Sequence, residues 1–145
     1  MALPEFNADG NLPQGIHRAT LDEAISRFGV GSRQRRDVTN RLLHIYKLIL
    51  NTGFLDRFVV FGSYITAKRD PNDVDIILVM QDNFDIGTLS EEVRRLIDHQ
   101  LAEKEFGASV FYIRRAFLIQ ETLEQFLEYW QTTREGTRRG IVEIM

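Results

Sequence analysis

The chain has no cysteine and only three prolines among its 145 residues. The first absence excludes a disulfide framework, a thiolate metal site and a cysteine nucleophile, and it agrees with a cytoplasmic protein. An excess of positive charge is missing too: 18 Lys and Arg stand against 21 Asp and Glu, a net charge of −3. That excludes the global basic field of a general nucleic-acid binder, so any contact with a polyanion must be local. Long apolar runs are absent, since a stretch such as Asp75 to Met80 falls far short of the roughly 18 to 20 residues a bilayer span needs. The first residues, MALPEFNADGNLP, carry Glu5 and Asp9 and neither a basic n-region nor an apolar core, so neither a signal peptide nor a membrane role is expected. No internal repeat or low-complexity tract is present.

What is there reads as one domain over residues 1–145, because 43% hydrophobic and 27% charged residues suit a single soluble core. Residues 1–18 hold Pro4, Pro13 and an Asp9-Gly10 turn without helical period, and read as an arm packed on the domain. Thr20 with Glu23 forms a capping box for a short helix ended by Gly29, and Ser32 caps a long helix ended by Gly53. In that helix Val38, Leu42, Ile45, Tyr46 and Ile49 recur at spacings of three and four, which makes one buried stripe. Strands are expected from Arg57 to Phe61, Asp73 to Met80 and Ala108 to Ile113, with the tail GIVEIM as a short edge strand. Between them, Thr88 with Glu91 predicts the cap of a helix that runs through Leu101 to Gly107, and Leu118 to Trp130 predicts a last amphipathic helix. The expected class is α/β (α+β), a mixed β-sheet flanked by helices.

The segment VVFGSYITAKRDPNDVDIILVM poses the chemical question. A buried carboxylate costs several kcal/mol unless a positive charge meets it, and here Asp73 and Asp75 stand together at the entrance of an apolar strand. Side chains alternate along a strand, so both point to one face, as hard oxygen ligands suited to a divalent cation such as Mg²⁺ or Mn²⁺. Upstream, Gly62 lacks a Cβ that would keep a phosphate from the main chain, and Ser63 offers a hydroxyl beside backbone N–H groups. Strand, turn and acid pair are expected to form one site, with an acid pair neutralised by arginines as the competing structural reading.

The pattern FGS, nine residues, then DVD and apolar residues resembles the DNA polymerase beta-like nucleotidyltransferase superfamily. The wider stretches PEFNADGNLPQGIH, GSYITAKRDPNDVD and YWQTTREGTRRGIVEI are similar to a group of small bacterial and phage nucleotidyltransferase-like proteins. The resemblance implies a small nucleotidyltransferase-like domain in which Gly62 and Ser63 bind a nucleoside triphosphate and Asp73 and Asp75 act as catalytic metal ligands. It further implies transfer of a nucleoside monophosphate to a hydroxyl of a protein, RNA or small molecule, and a possible toxin-like protein partner. One position departs from the pattern: the superfamily carries a third carboxylate on the next strand, and ASVFYIRR places Ser109 there. Glu103, Glu105 and Glu143 are the nearby acids, and loss of the third one threatens chemistry more than binding, which leaves a catalytically impaired antitoxin or regulatory module as the alternative function.

Other residues carry weaker signals. Lys68 lies between turn and acid pair and is a candidate phosphate contact, although GSYITAK lacks the Walker spacing. Arg33, Arg35 and Arg36 oppose the dipole of the helix they open, which a phosphate or acidic partner would offset and a solvated first turn would tolerate. His17, His44 and His99 show no metal spacing; His17 is the site candidate among them, and Arg138 and Arg139 are candidate phosphate contacts. Phe61, Tyr64, Tyr112 and Trp130 read as core or rim.

Overall fold

The computed structural model describes residues 3–118, 122–133 and 135–145. Its strands are β1 (Ile16–Ala19), β2 (Leu55–Phe61), β3 (Val74–Met80), β4 (Ala108–Arg114) and β5 (Ile141–Ile144), joined in one sheet of order β1-β5-β2-β3-β4. β2 runs antiparallel to β3 and to β5, while β1 with β5 and β3 with β4 are parallel pairs. The helices are α1 (Leu21–Phe28), α2 (Arg33–Leu50), α3 (Glu91–Ile97), α4 (His99–Leu101) and α5 (Leu123–Tyr129). A mixed sheet flanked by helices is therefore the observed architecture, as expected. Among the described residues no helix is long and apolar enough to cross a membrane.

Local chemistry sets the helix starts. Thr20 Oγ1 accepts from Glu23 N at 3.1 Å and Glu23 answers on Thr20 N, closing the capping box of α1. Ser32 Oγ accepts from Arg35 N at 3.1 Å to open α2, and Val38, Leu42, Ile45 and Ile49 are buried along one side of it. That stripe packs on Phe58, Val60, Ile76, Leu78 and Val110, which occupy one face of the sheet together with α1 and α3. Opposite register partners share a face, so Val59 and Ile77 point the other way, into a smaller cluster with Ile141 and Leu127 of α5. β3 is buried on both sides, and each such aliphatic side chain removed from water contributes about 1.5 to 3 kcal/mol.

The structure corrects several expectations. The arm ends in a strand: Ile16–Ala19 pairs in parallel with Ile141–Ile144. The tail strand is interior, because β5 lies between β1 and β2 rather than at the edge. Ser90, not Thr88, caps α3, since its hydroxyl accepts from Val93 N, and Thr88 closes a separate 3₁₀ turn capped by Asp85. The helix expected to run on to Gly107 breaks at Asp98, whose backbone is extended and whose Oδ1 accepts from Gln100 N and Leu101 N to start α4. A π-helical turn, Ala102–Phe106, follows, and Gly107 ends it at φ 62°, a conformation that glycine adopts without strain. The last helix opens at Leu123 with a Thr122/Gln125 box; residues 119–121 of the longer helix expected from the sequence lie outside the described residues.

Candidate active site at the mouth of β3

Phe61, the last residue of β2, is the register partner of Asp75, and Asp75 is in turn the partner of Ser109 on β4. Partners across a sheet point to the same face, which puts the Asp75 carboxylate on the α5 side, beyond the cover of the small apolar cluster. Asp73 precedes β3 and turns to the same side: Ser109 Oγ donates to Asp73 Oδ2 at 3.4 Å. The two aspartates therefore converge as their spacing predicts, and Ser109 faces them.

Gly62 meets them from β2. Its φ is 83° with ψ −163°, an extended conformation with positive φ that is essentially reserved for glycine. A Cβ built there would overlap Asp75 Oδ2 and come within 2.9 Å of Asp75 Cγ. The space freed by the missing side chain thus holds the carboxylate itself, a different reason for glycine than open access for a phosphate. Ser63 opens a 3₁₀ turn, Ser63–Ile65, and its hydroxyl has no hydrogen-bond partner among the described residues.

A third carboxylate reaches the same serine. Glu103 Oε1 also lies 3.4 Å from Ser109 Oγ, whose single proton is shared between it and Asp73, and 3.2 Å from His99 Nε2. The π-helical turn carries Glu103 to this position, and the His99 ring stacks on Phe111 with centroids 4.8 Å apart. The other two acids are committed elsewhere. Arg95 takes Glu105 with hydrogen bonds at 2.6 to 3.0 Å, which hold that carboxyl below its ordinary range. Burial alone would raise the pKa of Glu143, but hydrogen bonds from Arg57 and the charges of Arg57 and Arg18 outweigh it and hold the group low.

The loop between turn and acid pair is gripped by α2. Arg35, buried at the start of that helix, donates through Nη1 to the carbonyls of Phe28 (2.9 Å) and Tyr64 (2.8 Å), and through Nη2 and Nε to those of Thr66 (2.6 Å) and Lys68 (3.1 Å). Ser32 donates to Arg69 O, and Gln34 to Pro71 O, each at 2.9 Å. Arg41 Nη1 reaches Asn72 O at 3.1 Å and Gly107 O at 3.4 Å, tying the entrances of β3 and β4 to one guanidinium. Backbone carbonyls, not a phosphate, thus explain Arg35, which is neither a ligand group nor a solvated residue; Arg33 and Arg36 are exposed.

Residues 4–145 match the family model described as a family of unknown function, DUF6932. The chain belongs to the DUF6932 family. No curated protein and no solved structure matches it.

By its chemistry the acid pair of this DUF6932 chain offers two hard oxygen donors of the kind a divalent cation takes, with the Ser109 hydroxyl beside Asp73. It is not a cage complete in itself: among the described residues no group of three or more His, Asp or Glu is arranged to hold a metal ion. Lys68 is exposed and makes no ion pair among the described residues; its carbonyl, not its ammonium, has a structural partner. His17 is tied to Pro13 O at 2.6 Å, His44 lies 3.6 Å from Glu92, and Arg138 pairs with Glu128 at 3.2 Å, so none of these joins the acid pair. Tyr64 is buried with its hydroxyl 2.6 Å from Thr39 Oγ1. Phe61, Phe111 and Trp130 form an aromatic wall beside the acids, with ring centroids 5.0 to 6.2 Å apart. The residues that sequence reasoning missed are Arg41, Gln34 and His99; an arginine three residues after Val38 on a buried stripe was the available signal for the first.

Proposed function

We propose that this protein is a nucleotidyltransferase-like enzyme of the cytoplasm that binds a nucleoside triphosphate with Mg²⁺ at Asp73 and Asp75 and transfers a nucleoside monophosphate to an acceptor hydroxyl. The observation that supports the reading is the close fit of the Asp75 carboxylate over Gly62, with Asp73 bonded to Ser109, the register partner of Asp75, so that turn and acid pair lie side by side. Bound there, the cation would neutralise phosphate charge and draw the triphosphate toward the turn. The chain's own residues supply the rest. Ser63 Oγ and the N–H groups of the turn bind phosphate oxygens, and the exposed face of Phe111 offers the nucleobase a surface. The acceptor oxygen attacks the α-phosphorus, the bond from that phosphorus to the bridging oxygen of the β-phosphate breaks, and pyrophosphate leaves with the electron pair. The acceptor's proton passes to Glu103, the carboxylate that Ser109 joins to Asp73.

A second reading, a nucleotide- or partner-binding module with little turnover, is favoured by Ser109 itself, which occupies the register position opposite Asp75 where the resembling superfamily has an acid. Both readings are tested by incubating the protein with each α-labelled nucleoside triphosphate and Mg²⁺ or Mn²⁺, with and without cell extract. Label on an acceptor that disappears in Asp73→Asn/Asp75→Asn supports the enzyme. Divalent-dependent thermal stabilisation by triphosphate without transfer supports the module. Equal behaviour of wild type and the double variant removes both.

A further inference from the structure

We propose that a cavity walled by the arm, the turn between α1 and α2 and the loop that follows Gly62 binds a small organic phosphate. Its volume is about 320 Å³, at the lower end of the range for small-molecule sites. Arg27, Arg35 and Arg69 line it together with Phe6, Val30 and Ala67, and among the described residues no carboxylate is part of the lining. With the Arg35 donors spent on backbone carbonyls, the groups left to meet an anion there are the guanidiniums of Arg27 and Arg69.

The arginines differ in what they leave free. Arg35 gives all its N–H groups to backbone carbonyls and supplies only charge, buried and without a salt bridge among the described residues. Arg27 spends one hydrogen bond on Pro4 O at 2.8 Å and a long one on Leu3 O at 3.5 Å, while its guanidinium lies 4.5 Å from the centre of the Phe6 ring. A guanidinium has five N–H donors, so most of the Arg27 fork remains for a ligand. The Arg69 side chain is 82% exposed, and its one ion-pair neighbour among the described residues, Asp70, is a loose 4.0 Å away on the surface, a contact of little worth. Forked donors on two arginines match the oxygens of a phosphate better than a single carboxylate. Apolar groups make up much of the rest of the cavity: the Phe6 ring, Ala67, and Val30, which is 60% exposed. A phosphate carrying a sugar or base satisfies both halves, so the ligand class is a sugar phosphate or mononucleotide.

This site is independent of the acid pair, and the experiment keeps them apart by excluding divalent ions with EDTA. Thermal shift and calorimetry are run with ribose 5-phosphate, AMP, inorganic phosphate and malate. Ribose 5-phosphate or AMP is expected to stabilise the full chain at about millimolar concentration or below. Arg69→Ala is expected to weaken that binding about tenfold or more, and Val30→Trp, which fills the rim, to abolish it. Asp73→Asn/Asp75→Asn is expected to leave it unchanged. Should Val30→Trp fail to fold, Arg69→Ala at an exposed position decides alone. Absence of stabilisation by either organic phosphate, or binding insensitive to Arg69→Ala, overturns the proposal. Equal binding of malate overturns the phosphate assignment, and equal binding of inorganic phosphate removes the role of the apolar wall.

Discussion

At the scale of single residues, Gly62 and Asp75 form a pair in which each explains the other. The positive φ of Gly62 excludes other residues by strain, and the carboxylate over its Cα excludes them by volume. Gly62→Ala is therefore expected to lower stability by about 1 to 3 kcal/mol from backbone strain, with a further loss from displacing Asp75. The second part is separable: Asp75→Ala added to Gly62→Ala should recover it, so a double-mutant cycle by chemical denaturation should give a coupling of about 1 kcal/mol or more. Strict additivity would mean that the carboxylate moves aside freely. Ser63→Ala is the contrast, because its hydroxyl has no described partner; stability should change by no more than about 0.5 kcal/mol while triphosphate binding weakens.

At the scale of elements, α2 works as a clamp on the loop that joins the phosphate turn to the acid pair. Arg35→Leu removes the donors to Phe28, Tyr64, Thr66 and Lys68 carbonyls, and buried acceptors left unmet cost about 1 to 3 kcal/mol each where water cannot reach them. The expected result is a loss of at least about 3 kcal/mol, with amide exchange rising first in residues 64–70 and the far end of α2 still protected. Uniform loss of protection along the chain would show that Arg35 serves the core as a whole and not the loop. The clamp also shows where sequence reading succeeds and stops. The caps at Thr20 and Ser32, the stripe of α2, the Gly62 turn and the acid-bearing β3 were legible because each is decided by residues within a few positions of one another. The burial of Arg35 was not, because all its carbonyl partners but Phe28 lie 29 to 33 residues away and gather only when the loop folds back. The break at Asp98 was hidden by a continuous apolar period; an extended residue capping the next turn leaves that period almost intact, yet it opens the turns that carry His99 to Glu103 and Glu103 to Ser109. β1 was hidden for a third reason, since four residues of alternation are too few to signal a strand whose partner lies at the other end of the chain.

At the scale of the whole molecule, the same ion network joins both ends of the chain to its middle. Glu143 on β5 accepts from Arg57 on β2 and from Arg18 on β1, and Arg57 also reaches Glu124 of α5 at 2.7 Å. Glu143 is buried and held in its charged form by these arginines, so the network is a buried electrostatic link between the terminal strands and the rest of the sheet. Its sign with pH follows from the direction of the shift. The folded-state pKa of Glu143 is below its unfolded value, so the stability it contributes is present in full above the ordinary glutamate range and is lost as pH falls through the folded-state value. The driven-up pKa of Arg57 has no counterpart in that range, because an arginine stays charged throughout. Between pH 7 and 5 this pair should therefore leave stability flat, and below the ordinary glutamate range the wild type should lose stability more steeply than Glu143→Gln. At pH 7 that variant should be less stable by about 2 to 4 kcal/mol, since it removes one partner of a buried pair while keeping the shape. Denaturation of both proteins from pH 7 to pH 3 checks the claim: the gap between the curves should close as Glu143 protonates. A gap that stays constant would place the effect of the substitution in packing, and would free the terminal strands from any electrostatic account of their place in the sheet.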